Sequence, residues 1–190
     1  MDRSNNYKLG YFQQPGLEKD YHELGLLRPD QVYAISYALG LTDARRHLQR
    51  KPQKILSIGC GQGVIESFLA SKGAHVTGTD IANNVENDGF HFVLGNMDDI
   101  SYDDYDTVIM CESIEHIPQD EFDRNWPRIV GMLKKTKGIF IVTNWFEYHP
   151  IRVDATGWNH VREINDELYD SLASFGEVVV RNKSHLVIQF

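Results

Sequence analysis

The chain has 190 residues, of which 42% are hydrophobic, so it is long enough to bury a core as a single domain over residues 1–190. Its 19 basic and 27 acidic residues give a net charge of −8, which argues against broad electrostatic binding of nucleic acid. With only two cysteines, no signal-peptide pattern and no long apolar run, the sequence predicts a reduced cytoplasmic protein that has no membrane partner.

Residues 1–50 are predicted to form an N-terminal arm and helices ahead of a core at 51–190. Aromatic residues without a period occur up to about residue 27. Pro29 then suits the first turn of a helix, and Thr42 or Asp43 suits the start of a second one. The arm either packs on the domain or covers a substrate pocket as a lid, and both roles remain open.

A glycine turn follows the first predicted strand. An apolar run at 54–59 reaches three glycines at alternate positions, Gly59, Gly61 and Gly63, and a helical pattern continues to about residue 72. Glycine tolerates positive φ and lets the backbone approach a ligand, while free N–H groups at a helix start favour anionic or polar groups. The pattern predicts a ligand-binding turn, and a tight connection without a ligand is the alternative.

The second predicted strand, 75–80, ends at Asp80. A carboxylate at this place can accept hydrogen bonds from both hydroxyls of a ribose, although it can also cap a helix. Together with the preceding turn it predicts a nucleoside-cofactor site. The connection from Ile81 to Gly89 has room for only one or two helical turns before a third strand at 90–95.

Strands and helices then alternate and a hairpin follows. The later predicted elements are strands at 105–111 and 139–143, helices at 119–135 and 166–175, a long loop at 144–161, and hairpin strands at 177–180 and 186–190. This order predicts an α/β fold with a doubly wound, mostly parallel, seven-stranded Rossmann-like sheet, a C-terminal antiparallel hairpin and an N-terminal helical segment. Ligands in such sheets bind beyond the strand carboxyl ends.

The tight spacing Gly-Cys-Gly-Gln-Gly at 59–63 resembles motif I of class I S-adenosylmethionine (SAM) methyltransferases more than the G-x-G-x-x-G of NAD proteins. The resemblance covers residues 54–190. It implies SAM as the cofactor, with an acid after the third strand on the adenine amino group; Asp98 is chosen and Asp99 is the fallback, while a surface turn is the alternative for both. The residues that it assigns to the cofactor are Gly59, Cys60, Gly61, Gly63, Asp80, Ile81, Met97, Asp98 and Cys111.

A second motif follows the fourth predicted strand. Glu112, Glu115 and His116 are spaced to share one face of a helical turn, where two carboxylates repel each other unless a cation or a proton joins them. The string is similar to that of ubiquinone-biosynthesis O-methyltransferases, which act on catechol-type rings, and of small-RNA 3′-terminal 2′-O-methyltransferases. Both families associate it with a divalent metal and a later histidine, which His160 matches.

The resemblance therefore implies a metal site for Mg, Mn or Zn, formed by Glu112, Glu115, His116 and His160. A histidine acting as general base without a metal, and a purely structural role in capping and packing, remain open. The resulting hypothesis is a SAM-dependent methyltransferase that methylates a hydroxyl of a small molecule, a catechol-type ring or a sugar, with His116, His160 and Glu112 as catalytic residues.

Three aromatic residues of the long loop, Trp145, Phe146 and Trp158, are candidates to wall the acceptor. One alternative function is 2′-O-methylation of an RNA 3′ end, which the negative net charge disfavours. The other is a SAM-binding regulatory subunit without chemistry. The oligomeric state is left open.

Overall fold

The computed structural model describes residues 53–86, 88–144, 152–153, 159–183 and 185–190, with the side chains of residues 152–153 and 159–160 left aside. The predicted N-terminal arm and helices at 1–50 lie outside these residues. So do Trp145, Phe146 and Trp158. The lid and the aromatic wall therefore stay predictions.

The described residues contain nine strands. They are β1 (Lys54–Ile58), β2 (His75–Asp80), β3 (His91–Leu94), β4 (Thr107–Cys111), β5 (Ile139–Thr143), β6 (Arg152–Val153), β7 (Asn159–His160), β8 (Glu177–Arg181) and β9 (His185–Gln189). Seven of them form one sheet in the order β3-β2-β1-β4-β5-β9-β8. The first five strands of that order run parallel, while β9 is antiparallel to both β5 and β8. The predicted seven-stranded sheet with its closing hairpin is confirmed.

Three α-helices connect these strands, α1 (Val64–Ser71), α2 (Gln119–Thr136) and α3 (Asp166–Ala173). Asn165 caps the start of α3, because its side chain accepts a hydrogen bond from the Leu168 N–H at 2.9 Å. Two short 3₁₀ helices, Met97–Asp99 and Ile114–His116, follow β3 and β4. None of the described helices is both long and apolar enough to cross a membrane.

The central strands are apolar on both faces because helices cover both sides of the sheet. Alternate residues of a strand point to opposite faces. Leu56, Val108 and Phe140 belong to a core with residues of α2 and α3, whereas Ile55 and Ile109 belong to a second core with residues of α1. Burial on both faces is what a doubly wound sheet requires.

Between β2 and β3 the sequence leaves room for at most one or two helical turns, and residues 144–161 are predicted to be a loop. No helix forms among the described residues between β2 and β3. Instead, the Glu86 N–H donates to the Gln62 carbonyl at 3.1 Å, so this connection packs against the glycine turn. The predicted loop 144–161 contains the short antiparallel pair of β6 and β7, in which Arg152 is opposite His160. Two-residue strands carry too little periodicity to be seen in a sequence.

The topology gives the location of the site. The chain moves from β1 outward through β2 to β3, and then returns to place β4 on the other side of β1. The carboxyl ends of β1 and β4 therefore flank the switch point of the sheet, where ligands bind in open α/β folds.

Candidate functional site

The glycine turn lies at the carboxyl end of β1. Gly59, Gly61 and Gly63 have φ values of 77°, 54° and 79°, all in the left-handed region. The N–H groups of Gly59 and Cys60 both donate to the Thr79 carbonyl, at 2.8 and 3.0 Å, so the turn is hydrogen-bonded to the neighbouring strand β2. The three glycines are required because other residues adopt this conformation only at a cost.

Steric crowding, as well as backbone conformation, excludes larger residues at two positions of this turn. A Cβ atom on Gly59 would overlap the Cβ of Ser113, which follows β4 and whose hydroxyl donates to the Ile58 carbonyl at 2.6 Å. A Cβ on Gly63 would lie 2.6 Å from the ring of Phe90. The turn is thus held between the segments that precede β3 and follow β4, and it exposes backbone rather than side chains to a ligand.

Asp80 joins the turn to the end of β2. Its Oδ2 accepts from the Gly61 N–H at 2.9 Å and its Oδ1 accepts from the Ala82 N–H at 3.0 Å. Burial raises the pKa of this carboxyl, and the two N–H donors oppose that shift because they stabilise the charged form. Asp80, the residue predicted to bind the ribose, therefore lies at the sheet edge beside the turn. Two hydrogen bonds from backbone N–H groups fix the orientation of its carboxylate.

Beneath the turn lies a pair that the sequence reasoning missed. Glu66, in the first turn of α1, is only 2% exposed and accepts a hydrogen bond from the Ser57 hydroxyl of β1. Its Oε2 has no hydrogen-bond partner among the described residues. Burial raises the pKa of Glu66 to about 7. The available signal was the position of Glu66 three residues before Leu69, on the buried face of the helix.

The acids after β3 already have protein partners. Asp98 pairs with Arg124 at 2.8 Å and accepts from the Asn125 amide at 2.7 Å, and the Arg124 guanidinium lowers the pKa of its exposed carboxyl. Asp99 forms a capping box with Asn96. Met97 is 1% exposed within the core. Their assignment to the adenine stays a prediction, and these contacts are also those of a structural turn.

The two cysteines of the candidate cofactor set lie at strand ends and form no disulfide with each other, Cys60 in the turn and Cys111 at the end of β4. Burial is the largest effect on Cys60 and raises the pKa of its thiol, with the charges of Glu66 and Asp80 adding to the shift. Ile81 is half-buried next to Asp80. The cofactor residues assigned from the sequence thus lie along the carboxyl edge of β1, β2, β3 and β4.

The motif after β4 does not form the single helical turn that its spacing predicted. Glu112 has a φ of 53°, which no helix residue adopts, and the 3₁₀ helix begins only at Ile114. That expectation was wrong because the chain turns sharply at Glu112, whose N–H donates to the Thr143 carbonyl at 2.9 Å. A left-handed residue other than glycine at a strand end is strained, and such strain is frequent at functional sites.

Within the 3₁₀ helix, Glu115 is 2% exposed, and its Oε2 has no hydrogen-bond partner among the described residues. An orphaned carboxylate oxygen is costly, and a cation or a ligand donor would satisfy it. The backbone carbonyl of Glu115 accepts from the Val161 N–H at 2.8 Å. The residue after His160 is therefore bonded to the residue before His116, so the structure brings the backbones of the two candidate histidines together.

Of the four ligands predicted for the metal site, His160 has a side chain that lies outside the described residues. Among the side chains that the structure does describe, no three histidine, cysteine or acidic residues converge as metal ligands. Glu112, Glu115 and His116 therefore do not form a metal centre on their own, and the four-residue site stays a prediction.

Two further buried polar residues were missed at this edge. Asn144, directly after β5, is fully buried and donates to the hydroxyl of Tyr169 in α3. Arg162 is 5% exposed and contacts the segment after β4. Both residues bond to partners that are distant in the sequence, so no local spacing pattern could predict these contacts.

Comparison with known proteins agrees with this geometry. A family model described as a methyltransferase domain matches residues 34–174 of the chain. A ubiquinone biosynthesis O-methyltransferase of Paraburkholderia xenovorans (strain LB400) is 31% identical over 114 residues, which are 53% of this chain and 44% of that protein. One of the same name from Aeromonas salmonicida (strain A449) is 32% identical over 121 residues, 57% of this chain and 46% of that protein. The chain thus spans less than half the length of these curated relatives.

Solved structures share the fold at low identity. The magnesium protoporphyrin IX methyltransferase (ChlM) from Synechocystis PCC 6803 with bound SAM has a TM-score of 0.59 at 16% identity, covering 99% of this chain and 95% of that one. The complex of DhpI with S-adenosylhomocysteine (SAH) has a TM-score of 0.59 at 18% identity, covering 98% and 95%. These likenesses confirm the predicted Rossmann-like methyltransferase fold.

The crowding at Gly59 predicts a specific loss of stability. Gly59→Ala should destabilise the fold by about 1–3 kcal/mol more than Gly89→Ala, because of overpacking against Ser113. Gly89 is the matched control, since its φ of 86° is similar but a Cβ there would meet nothing within 4 Å. Urea unfolding of both variants measures the difference, and equal midpoints would show that the turn is not sterically confined.

The buried Glu66 predicts that stability depends on pH. Its folded pKa of about 7 exceeds the ordinary 4.5, so between these values the native state keeps a proton that the unfolded chain releases. This contribution is fully present below pH 4.5 and is lost as pH rises to about 7, by at most about 3 kcal/mol.

Glu66→Gln keeps the acceptor for Ser57 and should flatten that loss. Glu163→Gln, which removes an exposed carboxylate, is the control and should keep the wild-type slope. Denaturant titrations at several pH values test this, and parallel profiles of wild type and Glu66→Gln would contradict it.

Proposed function

Because the chain belongs to the methyltransferase domain family, we propose that it is a SAM-dependent methyltransferase that acts on a hydroxyl of a small molecule, such as a catechol-type ring or a sugar. The observation that carries the proposal is the hydrogen bond between the Asp80 carboxylate and the Gly61 N–H. It joins the two features that a nucleoside cofactor requires, a glycine-rich turn and an acid for the ribose, at the carboxyl edge of the sheet.

The site fits SAM on its own geometry. The glycine turn brings the backbone of Gly59, Gly61 and Gly63, all at positive φ, to the carboxyl end of β1 beside Asp80. The Asp80 carboxylate accepts backbone N–H bonds on both oxygens, and a carboxylate has about four acceptor positions, so capacity remains for a ribose hydroxyl. Glu66, Asp80 and Cys60 are each either negatively charged or neutral, so none of them repels a cationic cofactor.

When bound, SAM supplies a methyl group on a sulfonium sulfur, and the acceptor oxygen takes the methyl as the carbon–sulfur bond breaks. The chain must hold the acceptor hydroxyl in line with that bond, which by itself removes much of the barrier. We propose that His116 or His160 takes the hydroxyl proton at a ring nitrogen. Glu115, next to His116 in the 3₁₀ helix, and Glu112, directly after β4, would stabilise the resulting imidazolium.

The choice of acceptor rests on two observations. The curated relatives are named as ubiquinone biosynthesis O-methyltransferases, which supports transfer to oxygen on a small aromatic molecule. The net charge of −8 disfavours the RNA alternative. Metal assistance by Mg, Mn or Zn is the alternative to a histidine base, and it needs the His160 side chain to join Glu112, Glu115 and His116.

SAM binding is tested at Asp80. Asp80→Asn replaces one acceptor oxygen by an amide donor that opposes a backbone N–H, so the affinity for SAH should fall by about 1.5–3 kcal/mol. Asp103→Asn, which alters an exposed acid bonded to Ser101, should leave the affinity unchanged. Isothermal titration calorimetry measures both, and equal affinities for Asp80→Asn and wild type would remove Asp80 from the cofactor site.

Chemistry is tested by a methyl-transfer screen with isotopically labelled SAM against catechols, sugars and RNA ends. We expect transfer to a small hydroxyl compound, and a decrease of about 10²–10⁴-fold in His116→Gln or His160→Gln. We expect the rate to persist in excess chelator. A loss that added Mg²⁺, Mn²⁺ or Zn²⁺ restores would support the metal alternative, and SAH binding without transfer to any acceptor would favour a regulatory subunit.

A further inference from the structure

We propose that Arg162 is the positioning residue that clamps the turn bearing Glu115 and His116 onto the segment bearing His160, and so fixes the geometry of proton removal from the acceptor. The inference rests on the proposed function, because it concerns the same site.

Among the described residues, the side chain of Arg162 donates its hydrogen bonds to a single stretch, residues 117–119. Its Nη1 donates to the Gln119 side-chain oxygen at 2.7 Å, and its Nη2 donates to the carbonyls of Ile117 and Pro118 at 3.3 and 3.4 Å. These acceptors directly follow His116 and lead into α2. The guanidinium therefore holds the C-terminal side of the candidate catalytic turn.

The backbone of the same residue holds the other side. The N–H groups of Val161 and Arg162 both donate to the Glu115 carbonyl, at 2.8 and 3.2 Å. His116 is thus bracketed by a backbone bond before it and side-chain bonds after it, all of which come from residues one or two positions past His160. A displacement of Arg162 would move the two candidate bases relative to each other.

Burying the charged side chain of Arg162 here costs free energy. It is 5% exposed, its guanidinium lies 4.3 Å from the centroid of the Phe122 ring, and burial lowers its pKa. No described carboxylate forms an ion pair with it. The guanidinium contacts neutral oxygen atoms and an aromatic ring in place of a counter-ion. Such contacts require a planar group that stacks on the ring and donates several hydrogen bonds at once, which a lysine ammonium cannot do.

Arg128, in α2, provides a control whose contacts are of the same chemical kind, although its side chain is exposed. Its Nη1 donates to the Asn125 side chain at 2.8 Å, its Nη2 donates to the Ile100 carbonyl at 3.2 Å, and its guanidinium lies 4.5 Å from the centroid of the Tyr102 ring. These contacts lie away from the turn that carries His116. Arg128→Lys therefore reports the effect of losing such guanidinium contacts where they do not hold that turn.

The experiment compares Arg162→Lys with Arg128→Lys in the full chain. Three quantities are measured: SAH affinity by calorimetry, kcat and KM on the acceptor that the screen identifies, and the imidazole nitrogen resonances of His116 and His160 by NMR across pH. We expect Arg162→Lys to keep the SAH affinity within about twofold, to lower kcat by roughly tenfold or more, and to shift both histidine resonances. Arg128→Lys should leave kcat and both histidine resonances unchanged.

Equal kcat values and unshifted histidine resonances in Arg162→Lys and Arg128→Lys would overturn the proposal. If Arg162→Lys does not fold, Gln119→Met removes the acceptor of Nη1 at an exposed position; a smaller loss of kcat with shifted resonances supports the clamp, and wild-type behaviour overturns it. Absence of SAH binding in the wild type would instead refute the proposed function, while the histidine resonances would still report on the clamp.

Discussion

One carboxylate and its backbone connect three strand ends in this protein. Asp80, the last residue of β2, accepts from the Gly61 N–H of the turn after β1 and from the Ala82 N–H of the following connection. Its own carbonyl accepts from the Gly95 N–H after β3, at 2.9 Å. The glycine turn, the acid predicted to bind the ribose and the segment predicted to bind the adenine therefore share one anchor, which holds them in register.

The sheet and the turn could be predicted from the sequence because both have local signals. Short continuous apolar runs in strands such as Ile139–Thr143, and glycines at fixed intervals before a helix, are local signals. The carboxyl-edge location of Asp80 and Glu112 followed from topology alone. For these elements the local preference and the global fold agree, which is typical of sequences that specify one structure.

The remaining features depend on contacts that no spacing encodes. Arg162 finds its acceptors 43 to 45 positions earlier in the chain, and Ser113 confines Gly59 from a different strand. The left-handed backbone of Glu112 is not a preference of glutamate, so the surrounding structure must impose it. A single sequence therefore does not predict the buried polar groups of the site whose hydrogen-bond partners are distant in the chain.

The strand order also has a consequence for how the chain folds during synthesis. β8 precedes β9 in the chain, yet β9 lies between β5 and β8 in the sheet. When β8 leaves the ribosome it has no neighbour to pair with, and β5 still presents an open edge. Folding from the N-terminal side can assemble β1 to β5 early, but the edge beyond β5 stays exposed until β9 has been made and inserted. A nascent chain paused before β9 would therefore display two unpaired strand edges, the kind of surface that chaperones shield from aggregation.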